Sequence, residues 1–149
     1  MNFNDFSEVF KLLSEFGKVR FQILRSALEN DNVHPGQVPM LFIISSNPGI
    51  SQNEIAKRMH ITSSTVAIML RRMEKHGLVE RKQNEQDRRE LKVYLTEKAK
   101  KLVEKLFEKM KNFESLSLRN FSKDEIETFE NLLRKMLKNL EAMKHDETF

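Results

Sequence analysis

The sequence predicts a mainly α-helical chain with one small β-hairpin wing, on three observations. Only 4 Gly and 3 Pro punctuate 149 residues, so few positions interrupt long helices. Apolar residues recur at three- and four-residue steps near both ends of the chain, the period of a helix with one covered face. Between residues 78 and 95, two short stretches holding Val79, Val93 and Tyr94 flank a polar span, as two strands flank a turn.

The first helix is expected from Phe3 to Leu28, where Phe6, Phe10, Leu13, Phe16, Phe21 and Leu24 form a stripe that Val9, Leu12, Val19 and Ile23 widen. It ends near Asn30-Asp31-Asn32, and Pro35 opens a shorter helix holding Met40, Leu41, Ile43 and Ile44. Asn47-Pro48-Gly49 is a turn. Ser51 followed by Glu54 reads as a capping box, each side chain satisfying an orphan amide of a helix that runs to about Met59. Ile55, Ala56 and Met59 form its inner face.

His60-Ile61 leaves almost no linker before Thr62, the N-cap of a helix reaching His76, and Gly77 supplies a left-handed C-terminal residue. Two helices joined so closely must cross steeply. In the second, Val66, Met69, Leu70 and Met73 repeat at three and four, which leaves Ser63, Ser64, Ala67, Ile68, Arg71, Arg72 and Lys75 outside. Leu78–Lys82 and Leu91–Leu95 are the strands, around the polar span Gln83–Glu90. Thr96 caps a helix with Ala99, Leu102, Val103, Leu106, Phe107, Met110 and Phe113 in its stripe, continuing to about Arg119. Ser122 and Glu125 form a second capping box, for a last helix carrying Ile126, Phe129, Leu132, Leu133, Met136, Leu137, Leu140 and Met143.

The absence of Cys removes disulfides, thiol nucleophiles, thiol redox sensing and cysteine-based zinc sites. The four His, at 34, 60, 76 and 145, lack metal-ligand spacing. No glycine loop for phosphate and no nucleophile elbow is present, so neither an enzyme nor a cofactor is expected. No apolar run approaches the roughly 20 residues of a membrane span, and the first residues lack the pattern of a secretory signal. A cytoplasmic protein without membrane contact is expected. The net charge of +4 is unevenly spread: residues 51–95 hold 10 basic and 6 acidic side chains, whereas 1–50 hold 4 and 5. The basic excess therefore falls on the middle of the chain: on the two closely joined helices and the hairpin, and also on 96–121, which holds 7 basic and 4 acidic side chains.

Helix, tight turn, helix and basic-tipped hairpin is the order of a winged helix-turn-helix, whose second helix fits the DNA major groove. Such a helix needs short polar groups near its start for base edges, a place held by Ser63, Ser64 and Thr65. It needs cations farther along for phosphates, and Arg71, Arg72 and Lys75 stand there. Ser51 and Gln52, at the entry to the first motif helix, belong to the same DNA-binding set. The long apolar helices at 1–33 and 97–149 exceed what the central lobe, 34–96, can cover, and they are expected to pair with a second copy.

Four stretches resemble the MarR-type transcriptional regulators over nearly the whole chain. They are His34-Pro35-Gly36-Gln37; Asn47 to Ala56; Ser64-Thr65-Val66 with Leu70 to Arg81; and, most specific, Asp87-Arg88-Arg89 with Leu95-Thr96. The resemblance implies that Arg89 enters the minor groove, that Asp87 orients it and that Arg88 contacts a phosphate. A narrow A·T-rich minor groove concentrates negative potential and gives an arginine a reason to be there. The resemblance further implies a two-fold dimer on a pseudo-palindromic double-stranded operator. It also implies a small aromatic or anionic ligand in a cleft beside the DNA-reading lobe, for which Phe16, Arg20, Met40 and Phe42 are the candidates. Ala67 and Ile68 depart from the family, many of whose members have Thr and a basic residue there; apolar readout, for instance against thymine methyls, is the consequence expected. Ala99 replaces a common glycine, which touches only the start of its helix. The alternative from another class is a winged-helix module whose basic face binds an acidic protein.

Overall fold

Helix α1 runs from Glu8 to Ala27 in the computed structural model, which describes residues 5–31, 33–83 and 91–143. It starts later than the apolar pattern suggests because Ser7 caps it: the Ser7 hydroxyl accepts the Phe10 amide at 3.4 Å. Phe6 therefore precedes the helix, and Phe3 lies outside the described residues.

The helix expected from Pro35 begins instead as a single 3-10 turn, Pro35–Gln37, and becomes α2 only over Val38–Ser46. Pro39 is the reason. Its missing amide cannot reach back to the Pro35 carbonyl, so an α-helical ladder cannot close across that turn. The turn is held by a reciprocal cap: His34 Nδ1 accepts the Gly36 amide at 3.1 Å, and Gln37 Oε1 accepts the His34 amide at 2.9 Å. Gln37 can be buried on those terms.

The Asn47-Pro48-Gly49 turn leads into a two-residue strand, β1 (Ile50–Ser51), that sequence periodicity does not reveal. Gly49 has φ +80 and donates its amide to Val93; a Cβ there would stand 2.9 Å from the Tyr94 hydroxyl. Helices α3 (Gln52–Met59) and α4 (Ser63–Lys75) follow, then β2 (Val79–Gln83) and β3 (Leu91–Leu95). The hairpin is thus the larger part of a three-stranded antiparallel sheet in the order β1-β3-β2, registered by Ile50 opposite Val93 and Val79 opposite Leu95. Helix α5 covers Glu97–Ser117 and α6 covers Lys123–Met143.

The chain divides into two compact units, Met1–Lys109 and Met110–Phe149. In the first, Met40, Leu41, Ile55, Leu70, Met73, Leu78 and Leu106 are fully buried, each stabilising by roughly 1.5–3 kcal/mol relative to exposure. Lys105 pairs with Asp31 at 3.0 Å and Lys109 donates to the Ala27 carbonyl at 3.1 Å, tying α5 to the end of α1. In the second unit, the Ser122 amide donates to the Glu125 carboxylate at 2.8 Å while the Ser122 hydroxyl accepts the Glu125 amide at 3.3 Å, the capping box read from the sequence. Hydrogen bonding to the Glu125 carboxylate, first from the Ser122 backbone amide and then from the Ser122 side chain, holds that carboxyl below its ordinary pKa. No residue of α6 is buried, and Phe129, Leu132, Leu137 and Leu140 are exposed. Among the described residues no helix is long and apolar enough to cross a membrane.

Candidate nucleic-acid interface

The turn between α3 and α4 is short because a non-glycine residue adopts the left-handed conformation. His60 has φ 54 and ψ 39, and the Ile61 amide reaches back to the Ala56 carbonyl at 3.1 Å, closing α3 the way a C-terminal glycine would. The left-handed backbone costs a non-glycine residue about 1–2 kcal/mol, and His is among the types that visit it more readily than most. At the other end of α3 the Ser51 hydroxyl accepts the Glu54 amide at 3.2 Å. The Glu54 carboxylate is engaged 3.1 Å away by Arg58, so the reciprocal half of the expected capping box is not what holds it.

Helix α4 is fixed at its start by two clusters of short polar side chains. Thr62 Oγ1 accepts the Thr65 amide at 3.2 Å and lies 2.9 Å from the Ser64 hydroxyl and 2.8 Å from that of Thr65. Gln52 Nε2 donates to both the Ser63 carbonyl and its hydroxyl at 3.0 Å, and the Ser63 hydroxyl donates to Asn53 Oδ1 at 2.9 Å. Gln52, Asn53 and Ser63 thus pin the two helices together at the point where α4 begins. Asn53 does not stand out in the sequence, because a contact ten residues away across a steep crossing leaves no local periodicity.

Val66, Leu70 and Met73 of α4 are buried, as its spacing predicts, whereas Met69, expected on the same face, is half-buried. Ser64, Thr65, Ile68, Arg71, Arg72 and Lys75 are exposed, Ala67 is half-buried, and Arg71 Nε donates to the Ala67 carbonyl at 3.4 Å. The helix ends in Gly77 at φ 66, with the Leu78 amide donating to the Met73 carbonyl at 2.9 Å. An Arg81–Glu74 ion pair ties α4 to β2. The Thr96 hydroxyl donates to the Gly77 carbonyl at 2.7 Å and accepts the Ala99 amide at 3.2 Å, so one side chain joins the end of α4 to the start of α5. Lys98 adds a second tie, donating to the His76 carbonyl at 3.1 Å.

On the hairpin, Lys82 sits 2.9 Å from the Glu80 carboxylate and 5.3 Å from the centre of the Tyr94 ring. Its bond to Glu80 holds the Lys82 amine above its ordinary pKa. Asp87, Arg88 and Arg89 lie outside the described residues.

The four ligand candidates do not converge. Met40 is fully buried in the core, and Phe16 and Arg20 are exposed on α1. Phe42 lines an open cleft of about 980 Å³ together with Tyr94, Phe107, Lys82, Lys101 and Lys105. Among the described residues no group of three or more His, Asp or Glu could hold a metal ion.

Residues 33–91 match the sequence profile of the MarR family. The uncharacterized HTH-type transcriptional regulator YybA of Bacillus subtilis is 31% identical over 106 residues, spanning 71% of each chain. The HTH-type transcriptional repressor MdtR of the same organism is 33% identical over 82 residues, 55% of this chain and 52% of MdtR. Among solved structures, the MepR–DNA complex from S. aureus superposes with a TM-score of 0.81 at 28% identity, covering 91% of this chain and 99% of MepR.

Proposed function

The chain belongs to the MarR family of DNA-binding transcriptional regulators, and on that premise we propose that it acts as a homodimeric repressor on a pseudo-palindromic operator. The observation that carries the reading is the outward face of α4. Its cations Arg71, Arg72 and Lys75 and its polar Ser64 and Thr65 are exposed on a helix whose two ends are both fixed. A helix held in this way enters the major groove with its first turns on base edges and its cations on phosphates, at little cost in ordering. Ser51 lies at the same end of the motif, while Gln52 and Ser63 contribute mainly by aiming the helix. Arg88 and Arg89, with Asp87, extend the contact to phosphate and minor groove.

Dimerisation through the helices of 1–33 and 97–149 is supported by the apolar side chains exposed on α1, among them Phe10, Phe16 and Ile23, and on α6. Two-fold pairing sets half-site centres about 34–36 Å apart. Repression would follow from occupying a promoter, and the relative MdtR is by name a transcriptional repressor. Release by a small aromatic or anionic ligand is supported by the cleft at Phe42, where three aromatic rings stand beside lysines.

Selection of bound duplexes from a random pool, followed by salt titration, tests the reading. A pseudo-palindrome is expected, with affinity falling log-linearly by about 0.9 decades per decade of salt for each phosphate neutralised. A pool with no consensus, or binding indifferent to salt, would overturn it in favour of an acidic protein partner.

A further inference from the structure

We infer that Ile68 is a specificity-determining residue that reads the C5-methyl group of a thymine in each half-site; this rests on the DNA-binding reading above. Among described residues 33–83, Ile68 is the one large hydrophobic side chain that is exposed, at 47%. Every other bulky apolar group of that lobe is buried or half-buried. Its position on α4 is as far from the core as the helix allows. Ser64 lies one turn before it, and Arg71 and Arg72 lie one turn after, all exposed. It stands about 7.5 Å along the helix from Ser63, within the first two turns that reach base edges.

A solvated helix gains nothing from isoleucine there. β-Branching lowers helix propensity, and about half of the side chain stays exposed. A single exposed apolar residue is ordinary on most surfaces. Here, however, it is centred in a ring of hydroxyls and guanidinium groups, the composition of a face built to meet a polyanion. The chemistry available to an aliphatic side chain in the major groove is narrow. It has no donor or acceptor, and the one apolar group that base pairs present there is the thymine methyl. The same contact disfavours cytosine, whose exocyclic amine would be desolvated against the aliphatic group without a partner.

The test is a two-by-two comparison on the selected duplex. Each thymine is replaced in turn by deoxyuridine, which removes the methyl and leaves pairing intact, and binding is measured for the wild type and Ile68→Ala. Burial of one methyl is worth about fourfold in affinity, so the wild type should lose about fourfold when one half-site is changed and about fifteenfold when both are. Ile68→Ala should bind the thymine duplex correspondingly less well and be indifferent to uracil at that position. Its thermal unfolding should match the wild type, since the removed atoms are exposed. The inference is overturned if no thymine methyl matters to the wild type, or if Ile68→Ala keeps the same penalty. It is equally overturned if the variant changes only the oligomeric state, which would make Ile68 a protein contact. Failure of every duplex to bind would sink the DNA reading itself, an outcome distinct from thymine-indifferent binding.

Discussion

Helices α4 and α6 carry apolar stripes of similar spacing and meet opposite fates. Val66, Leu70 and Met73 of α4 are wholly covered by their own chain, whereas α6 buries no residue and leaves Leu132, Leu137 and Leu140 half or more exposed. The difference teaches that amphipathic periodicity marks a face to be covered without saying which chain covers it. The covered stripe lies behind the proposed reading face, and the uncovered one lies where a second copy is proposed. Most helical stability comes from packing, and the proposed second copy would supply it to α6.

Truncating one leucine in each helix is the strongest way to break the comparison. Leu70→Ala should lower the free energy of unfolding by about 2–5 kcal/mol at every protein concentration, in denaturant titrations. Leu137→Ala should instead weaken self-association by about tenfold, roughly 1.4 kcal/mol, measured by sedimentation equilibrium. Were Leu137→Ala to destabilise a dilute single subunit as severely as Leu70→Ala, the stripe of α6 would have its partner within one chain. A smaller effect concerns how α4 is aimed. Ser63→Ala removes the hydroxyl that bonds both Gln52 and Asn53, and should cost about 0.5–1.5 kcal/mol in thermal unfolding while weakening operator binding. Unchanged DNA affinity would mean that the crossing of α3 and α4 is set by the core alone.

The smallest expected effect sits at the start of α6. The folded pKa of Glu125 is depressed, so its contribution to stability is present above the unfolded carboxyl pKa, near 4.5, and is lost as pH falls through the lower folded value. The protection of the Ser122 amide against exchange, relative to its intrinsic rate at each pH, should fall over that acid window, and Glu125→Gln should abolish the step. An acid response identical in the variant would place the titrating group elsewhere.

The helices, their caps at Thr62, Thr96 and Ser122, and the inner face of α4 are legible in the sequence because each depends on residues three or four apart. What is not legible depends on distant partners. Strand β1 exists because Gly49 and Ile50 find Val93 more than forty residues away, and two residues carry no periodicity. His60 gives no warning of its left-handed backbone, since glycine is the usual signal there. The Glu54 carboxylate had two suitors within one turn, the Ser51 amide and Arg58, and spacing does not rank them. In the candidate site the exposed cations of α4 follow from helical geometry. The inward use of Gln52 and Ser63 does not, because it requires the angle between two helices.

The Thr96 hydroxyl, shared between the Gly77 carbonyl and the Ala99 amide, has a mechanical consequence. With the Lys98 bond to the His76 carbonyl beside it, this shared hydroxyl makes a two-point joint, through which a tilt of the first turn of α5 is expected to carry to the tail of α4. If α4 reads DNA as proposed, a bend in that stem would also change the angle at which the helix meets the duplex.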